Sequence, residues 1–224
     1  MKSQHQVVLS IGTNQGNRLT NIESCLQLIH HEVATVVKVS KVYETPSWGF
    51  ESDAFYNAAI LIHTYDSAAT VLLKILQIEQ QMGRVRSETI GYQSRIIDID
   101  IVSFDNEIIT TEHLQIPHPL MQDRIFVLKP MLDLNLEWIH PFLQKDVLEM
   151  VSETKDTSHC VAVHTLVSPL RKISLEQFNY VAFEGNIGAG KTTLATKIAE
   201  DFNAKSVLER FADNPFLPKF YKDQ

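Results

Sequence analysis

The chain has 224 residues, 44% hydrophobic and 21% charged, with only 8 Gly and 8 Pro, which excludes a disordered or low-complexity polymer and leaves room for one large domain or for one domain and part of another. Its 20 Lys+Arg against 27 Asp+Glu give a formal net charge of -7, an unfavourable field for nucleic acid or anionic membrane, so neither is an expected partner. Cys25 and Cys160 lie far apart without metal-ligand spacing, the N-terminus has no apolar signal region, and no stretch approaches the roughly 18 apolar residues of a membrane span, so a reducing cytoplasm is the expected location.

Val7 to Ile11 is an apolar run ended by Gly-Thr-Asn, and Leu19, Ile22, Leu26 and Ile29 stand at helical spacing within Arg18 to His31, which predicts a strand followed by a helix. Val33 to Tyr43 and Tyr56 to Tyr65 are rich in β-branched and aromatic residues and read as two strands joined by a long loop. Ser67 to Met82 opens on a capping residue, carries Val71, Leu72, Ile75, Leu76 and Ile78, and is followed by Gly83, the pattern of a capped helix. Ile96 to Phe104 alternates as a strand, and Asp105-Asn106 turns it into a short return strand over Glu107 to Ile109. The order β-α-β-β-α-β predicts an α+β, ferredoxin-like antiparallel sheet with both helices on one face and the other face free for a site. After Pro141 the periodicity weakens, and the expected division is a domain over 1–150, a linker over 151–177 and a β-α-β start of a parallel sheet over 178–224. Its elements would be a strand at Phe178 to Phe183, a helix at Lys191 to Phe202 and a strand at Ala204 to Leu208.

Two constellations carry chemistry. In Asp98-Ile-Asp-Ile101 the carboxylates two apart share one strand face while Ile97, Ile99 and Ile101 face the core. Paired hard oxygen ligands suit Mg²⁺, which is commonly held by one or two carboxylates together with substrate phosphates; a solvated acidic face is the bland alternative. Arg84, Arg86, Arg95 and Arg124 surround the pair in sequence, and guanidinium forks suit phosphate oxygens. His118, between Pro117 and Pro119, stands on a rigid loop from which it can donate a hydrogen bond or a charge. The second constellation, Gly185-Asn-Ile-Gly-Ala-Gly-Lys-Thr192, is a complete phosphate-binding loop between an expected strand and helix. Gly185 and Gly190 would let backbone N–H groups cradle phosphates, Lys191 would reach the β and γ groups, and Thr192 would hold Mg²⁺.

Over roughly residues 5–150 the sequence resembles the 6-hydroxymethyl-7,8-dihydropterin pyrophosphokinase family of the folate pathway. The residues concerned are Ser10-Ile-Gly-Thr-Asn14, Tyr43-Glu-Thr-Pro46, Tyr56-Asn-Ala-Ala59, Glu79 with Gly83-Arg-Val-Arg86, Arg95-Ile-Ile-Asp-Ile-Asp100, Pro117-His118, Arg124 and Phe126. The resemblance implies the ferredoxin-like fold, two Mg²⁺ ions on Asp98 and Asp100, ATP as co-substrate, and transfer of its β,γ-diphosphate to the pterin hydroxymethyl group with release of AMP. It implies that Arg84 and Arg95 hold the polyphosphate, with Glu79, Arg86, His118 and Arg124 on the ATP side. Thr45, Pro46, Phe55, Asn57, Tyr92 and Phe126 would line the pterin pocket, Asn57 pairing with the amino-pyrimidinone edge and Phe126 stacking on the ring. This sequence departs from the family in Tyr92, where Trp is usual, in Trp48 after Thr45-Pro46, and in a longer stretch over Ser87 to Ser94.

Glu184 to Gly190, with Leu208-Glu-Arg210 and Asn214 to Tyr221, looks like bacterial deoxynucleoside kinases, in which Glu209 would be the base for the sugar 5′-hydroxyl. The 178–224 segment is therefore expected to be the opening part of a second enzyme, incomplete and inactive at this length. A ferredoxin-like regulatory or binding module joined to a nucleoside kinase is the alternative reading.

Overall fold

The structure is a computed structural model that describes residues 3–47, 52–84, 94–172, 180–184, 190–201 and 204–207. The chain divides into two units, Met1–Lys172 and Ile173–Gln224.

In the first unit β1 (His5–Thr13) leads into α1 (Arg18–Leu28), capped by Asn17, whose side chain accepts from Thr20 N at 3.2 Å. A π-helical turn, Ile29–Val33, continues α1 before the chain extends. The single strand expected over Val33 to Tyr43 is two, β2 (Thr35–Val39) and β3 (Lys41–Thr45), both antiparallel to β4 (Phe55–Thr64). They break at Ser40, whose N–H donates to Ala59 O and whose hydroxyl accepts from Ala59 N, each at 2.9 Å. α2 (Ala68–Gln81) follows with Ser67 as its cap and Gly83 just past its end at φ +91°, a left-handed conformation that glycine adopts without strain. β5 (Asp98–Phe104) pairs with β1, and the sheet runs β5-β1-β4-β3 and then a last strand, Val161–Thr165, with β2 also on β4. The fold is α+β on an antiparallel sheet.

Four further expectations need correction. The return strand lies not against β5 but in a separate ribbon, β6 (Ile109–Thr110) with β7 (Gln115–Ile116). The second sheet face is largely covered by α3 (Ile125–Asp133) and α4 (Val147–Glu153), where Val127, Leu128, Met131, Val147 and Met150 bury Val8, Ala59, Leu61 and Val102. The apolar run Ala58 to Ile62 in β4 requires this, because consecutive apolar residues of a strand point to both faces. Third, the stretch read as a linker ends α4 and supplies β8 (Val161–Thr165) and α5 (Pro169–Lys172); β8 pairs with β3 at the sheet edge, where mostly exposed side chains leave little alternation to read. Fourth, in the second unit the expected helix stands as α6 (Lys191–Asp201), but 180–184 and 204–207 are not strands; Tyr180 and Val207 are each 79% exposed. A strand needs a hydrogen-bonded neighbour, and among the described residues neither stretch has one.

α1 and α2 cover the opposite face, packing Ile22, Leu26, Val71, Ile75 and Ile78 on Val7, Leu9, Ile11, Ile60, Ile62, Ile99 and Ile101. Among the described residues, no helix is long and apolar enough to cross a membrane.

Candidate active site

The cleft opens on the α3 side of the sheet. Gly12 is in register with Asp98 on β5 and with Asn57 on β4, and Ser10 with Asp100, so strand alternation sets these residues side by side on one face. Asp98 and Asp100 thus share a face as expected, with Ile99 and Ile101 turned into the core. The cleft, about 560 Å³ with its open mouth included, is lined by Ser10, Gly12, Thr45, Pro46, Phe55, Asn57, Arg95, Asp98, Asp100, Arg124 and Phe126. Nine of the residues singled out from sequence therefore converge on one hollow, drawn from β3, β4, β5, the start of α3 and the segments flanking them.

Asp98 receives hydrogen bonds from two guanidiniums, Arg84 Nη1 on Oδ1 and Arg95 Nη1 on Oδ2. Asp100 has burial and the charge of Asp98 against it, partly offset by Arg124 and Arg95, and its carboxyl is pushed up to about 7. The two neighbours are thus inequivalent: one carboxylate is neutralised by arginines, the other holds its proton far above the ordinary range.

At the other end of the cleft Asn57 Nδ2 donates to Thr45 Oγ1 at 2.9 Å, both residues being buried, so the carboxamide is fixed in orientation. Phe55 and Phe126 supply flat apolar surface, and the Arg124 guanidinium lies 5.7 Å from the Phe126 ring centre. Gly12 leaves the room: a Cβ there would lie 3.2 Å from Asn57 Oδ1 and 3.9 Å from the Phe55 ring. Ser10 and Gly12 were missed as site residues, although alternation from Val7, Leu9 and Ile11 puts them on the face opposite the core. Asn14 was missed too. It is 3% exposed, its Nδ2 donates to Ser52 Oγ and Ser94 Oγ at 3.0 Å each, and its Oδ1 accepts from Arg95 N at 2.7 Å, so it fixes the chain on both sides of the cleft.

Glu79 and His118, both expected on the nucleotide, are not among the residues that line this cleft. Glu79 is 2% exposed beneath β5, where Oε1 accepts from Ile99 N at 2.8 Å and from Arg84 Nη1. β5 is an edge strand, so its outward N–H needs a partner, and Glu79 supplies it at Ile99, which gives this carboxylate a part in holding the frame. His118 lines a neighbouring groove with Ile116, Gln122, His140 and Phe142. Burial and the nearby charge of Arg124 lower its imidazole to about 4, so it offers a neutral hydrogen bond and not a charge. Its Nδ1 accepts from Leu120 N at 3.2 Å, which leaves the ring proton on Nε2. Gly190, Lys191 and Thr192 stand at the start of α6 in the second unit, with Gly190 at φ +76°. Arg86, Tyr92, Trp48, Gly185 and Glu209 lie outside the described residues.

The family model described as 7,8-dihydro-6-hydroxymethylpterin-pyrophosphokinase (HPPK) matches residues 8–136, more than half of the chain, and the model described as deoxynucleoside kinase matches residues 181–224. The chain is 34% identical over 155 residues to the 2-amino-4-hydroxy-6-hydroxymethyldihydropteridine pyrophosphokinase of Aquifex aeolicus, covering 69% of this chain and 95% of that protein. With the Bacillus subtilis protein of the same name it shares 39% over 128 residues, covering 56% and 75%. A folic acid synthesis protein of Pneumocystis carinii is 38% identical over 136 residues, 60% of this chain, but the match spans only 18% of that longer protein. Among solved structures, HPPK-DHPS of Plasmodium falciparum superposes with a TM-score of 0.55 at 18% identity over 68% of this chain and 44% of that one, a likeness of fold.

Proposed function

The chain belongs to the 7,8-dihydro-6-hydroxymethylpterin-pyrophosphokinase family, and from that premise we propose that it transfers the β,γ-diphosphate of ATP to the hydroxymethyl group of 6-hydroxymethyl-7,8-dihydropterin, releasing AMP. The observation that carries this reading is the composite cleft: an aromatic and carboxamide pocket at one end and a carboxylate pair ringed by guanidiniums at the other, in one hollow.

In this reading the pterin ring lies against Phe126 and Phe55, and its amino-pyrimidinone edge pairs with the carboxamide of Asn57, held by Thr45. Its hydroxymethyl group then points toward Asp98 and Asp100. The two carboxylates fit Mg²⁺, being hard oxygen donors on one strand face at an open cleft. Mg²⁺ at this pair, two ions in our reading, would neutralise the polyphosphate and orient it. Arg84 and Arg95, now on Asp98, would exchange that carboxylate for phosphate oxygens as ATP arrives, and Arg124 would meet the same oxygens from the start of α3. His118 would donate from Nε2 to phosphate. The pterin hydroxyl oxygen attacks the β phosphorus, the bridging bond to the α phosphate breaks, AMP leaves with the bonding pair, and the hydroxyl proton is released. In the second unit Gly190, Lys191 and Thr192 would bind nucleotide phosphate at the start of α6.

The test is product analysis. With ATP, Mg²⁺ and 6-hydroxymethyl-7,8-dihydropterin the chain should yield AMP and pterin diphosphate in equal amounts; pterin-dependent ADP, or no pterin-dependent product, would refute the proposal.

Two further outcomes follow from the geometry. Asp100 must lose its proton to hold a cation, so below about pH 7 the Mg²⁺-dependent affinity for a non-hydrolysable ATP analogue should weaken as pH falls, by up to about tenfold per unit. Affinity that is flat between about pH 7 and 5 would contradict this. Gly12→Ala should push the Asn57 carboxamide off its bond to Thr45 and raise the pterin KM on the order of tenfold, the loss of one oriented hydrogen bond. The KM for ATP should move little, and titration against each substrate in turn separates the two.

A further inference from the structure

We propose that Asp156, in the segment after α4, is a positioning residue that sets the two cleft side chains at the start of α3. Arg124 and Phe126 flank Ile125, the first residue of that helix, and both line the cleft. A helix start leaves backbone N–H groups without intrahelical partners, and Arg124, in the capping position, provides no side-chain bond to them. The acceptor comes from 31 residues away: Asp156 Oδ2 receives the Ile125 N–H at 3.0 Å. Asp156 is itself held, since its Oδ1 accepts from Ser158 N at 3.0 Å and its own N–H donates to Thr154 Oγ1 at 3.3 Å. A second tie, Lys129 Nζ to Cys160 O at 2.8 Å, fastens the same segment one turn along α3. Burial alone would raise the Asp156 carboxyl, but the bonds from Ser158 and Ile125 outweigh it and hold the group below the usual carboxylate range, so it is charged and complements the positive end of the helix.

Asp156 is not among the residues that line the cleft. Its part is to fix where α3 begins, and so the direction from which the Phe126 ring and the Arg124 guanidinium enter the cleft. That this matters for turnover rests on the pterin pyrophosphokinase reading above; that Asp156 orders the start of α3 does not.

The test uses the full chain with Asp156→Ala and Asp156→Asn. The alanine variant should raise the pterin KM and lower kcat/KM on the order of tenfold, the scale of a lost helix cap. The asparagine variant keeps an acceptor oxygen and should recover to within about threefold of wild type. Amide hydrogen exchange at residues 125–128 should quicken in the alanine variant while exchange in α2 stays as in wild type. An alanine variant with wild-type KM and kcat, an asparagine variant as impaired as alanine, or unchanged exchange at 125–128 would overturn the proposal. Should the wild type form no pterin-dependent AMP, the functional reading falls, and the exchange measurement alone then decides for or against Asp156.

Discussion

Asp98→Ala and Asp100→Ala are each expected to lower pterin-dependent AMP formation by about 10³ or more, because each removes a hard ligand from the place where phosphate charge must be neutralised, a contribution of several kcal/mol. The two variants should part company in stability. Asp98 accepts from both Arg84 and Arg95, and its loss leaves those guanidiniums without that acceptor, so the melting temperature should fall. Asp100 is the reverse case. Its folded-state carboxyl is raised far above the unfolded value, so the folded form binds more protons between about pH 4 and 7, and the group costs stability increasingly as pH rises through that window. Asp100→Ala should therefore melt at or above the wild-type temperature at pH 8 while being inactive, the pattern of a residue kept for chemistry at the expense of the fold. Activity within tenfold of wild type in both variants would falsify the carboxylate-pair assignment.

The second large effect separates the two units. Arg95→Ala should slow AMP formation by on the order of 10² or more, as for loss of one preorganised group that stabilises developing charge. Lys191→Ala should leave it unchanged, because the phosphate-binding loop of the second unit has no part in attack at the β phosphorus. A kinase acting through that loop would attack the γ phosphorus and release ADP, so the two centres make opposite forecasts from one nucleotide. AMP formation that vanishes with Lys191→Ala, or survives Arg95→Ala intact, would place the chemistry in the wrong unit. Arg84→Ala belongs to the same series, with a further expectation: the Arg84–Glu79 and Arg84–Asp98 ion pairs would both be lost, so this variant should also be destabilised.

Much of the cleft was legible without coordinates because its logic is local. Alternation along Ile96 to Phe104 sets Asp98 and Asp100 on one face of a strand whatever that strand pairs with. Ser67 and Gly83 mark the two ends of α2 through backbone geometry that a few neighbouring residues decide. The pterin-side residues came from a family resemblance, and the structure gathers Thr45, Pro46, Phe55, Asn57 and Phe126 around the same hollow.

What escaped depends on distant partners. By its local pattern Glu79 is an acidic residue near the end of an amphipathic helix, and only the passage of α2 under an edge strand brings it to the Ile99 N–H. β8 has weak alternation because its side chains are mostly exposed on both faces of the sheet, so its place beside β3 is settled by tertiary pairing. Asp156 stands in a polar stretch with every mark of a linker, and its bond to Ile125 exists only once α3 lies against the chain after α4.

The sequence by itself determined the alternation, the helix ends, the acidic pair and its arginines, because these follow from backbone periodicity and side-chain chemistry within a few residues. Tertiary structure alone decided that the second sheet face is covered by α3 and α4, that Arg84 and Arg95 rest on Asp98, that Asp100 holds its proton, and that Gly12 makes room for Asn57. Each of these is a matter of burial or of side-chain contact beyond the backbone pattern, and both exist only after the chain has closed on itself.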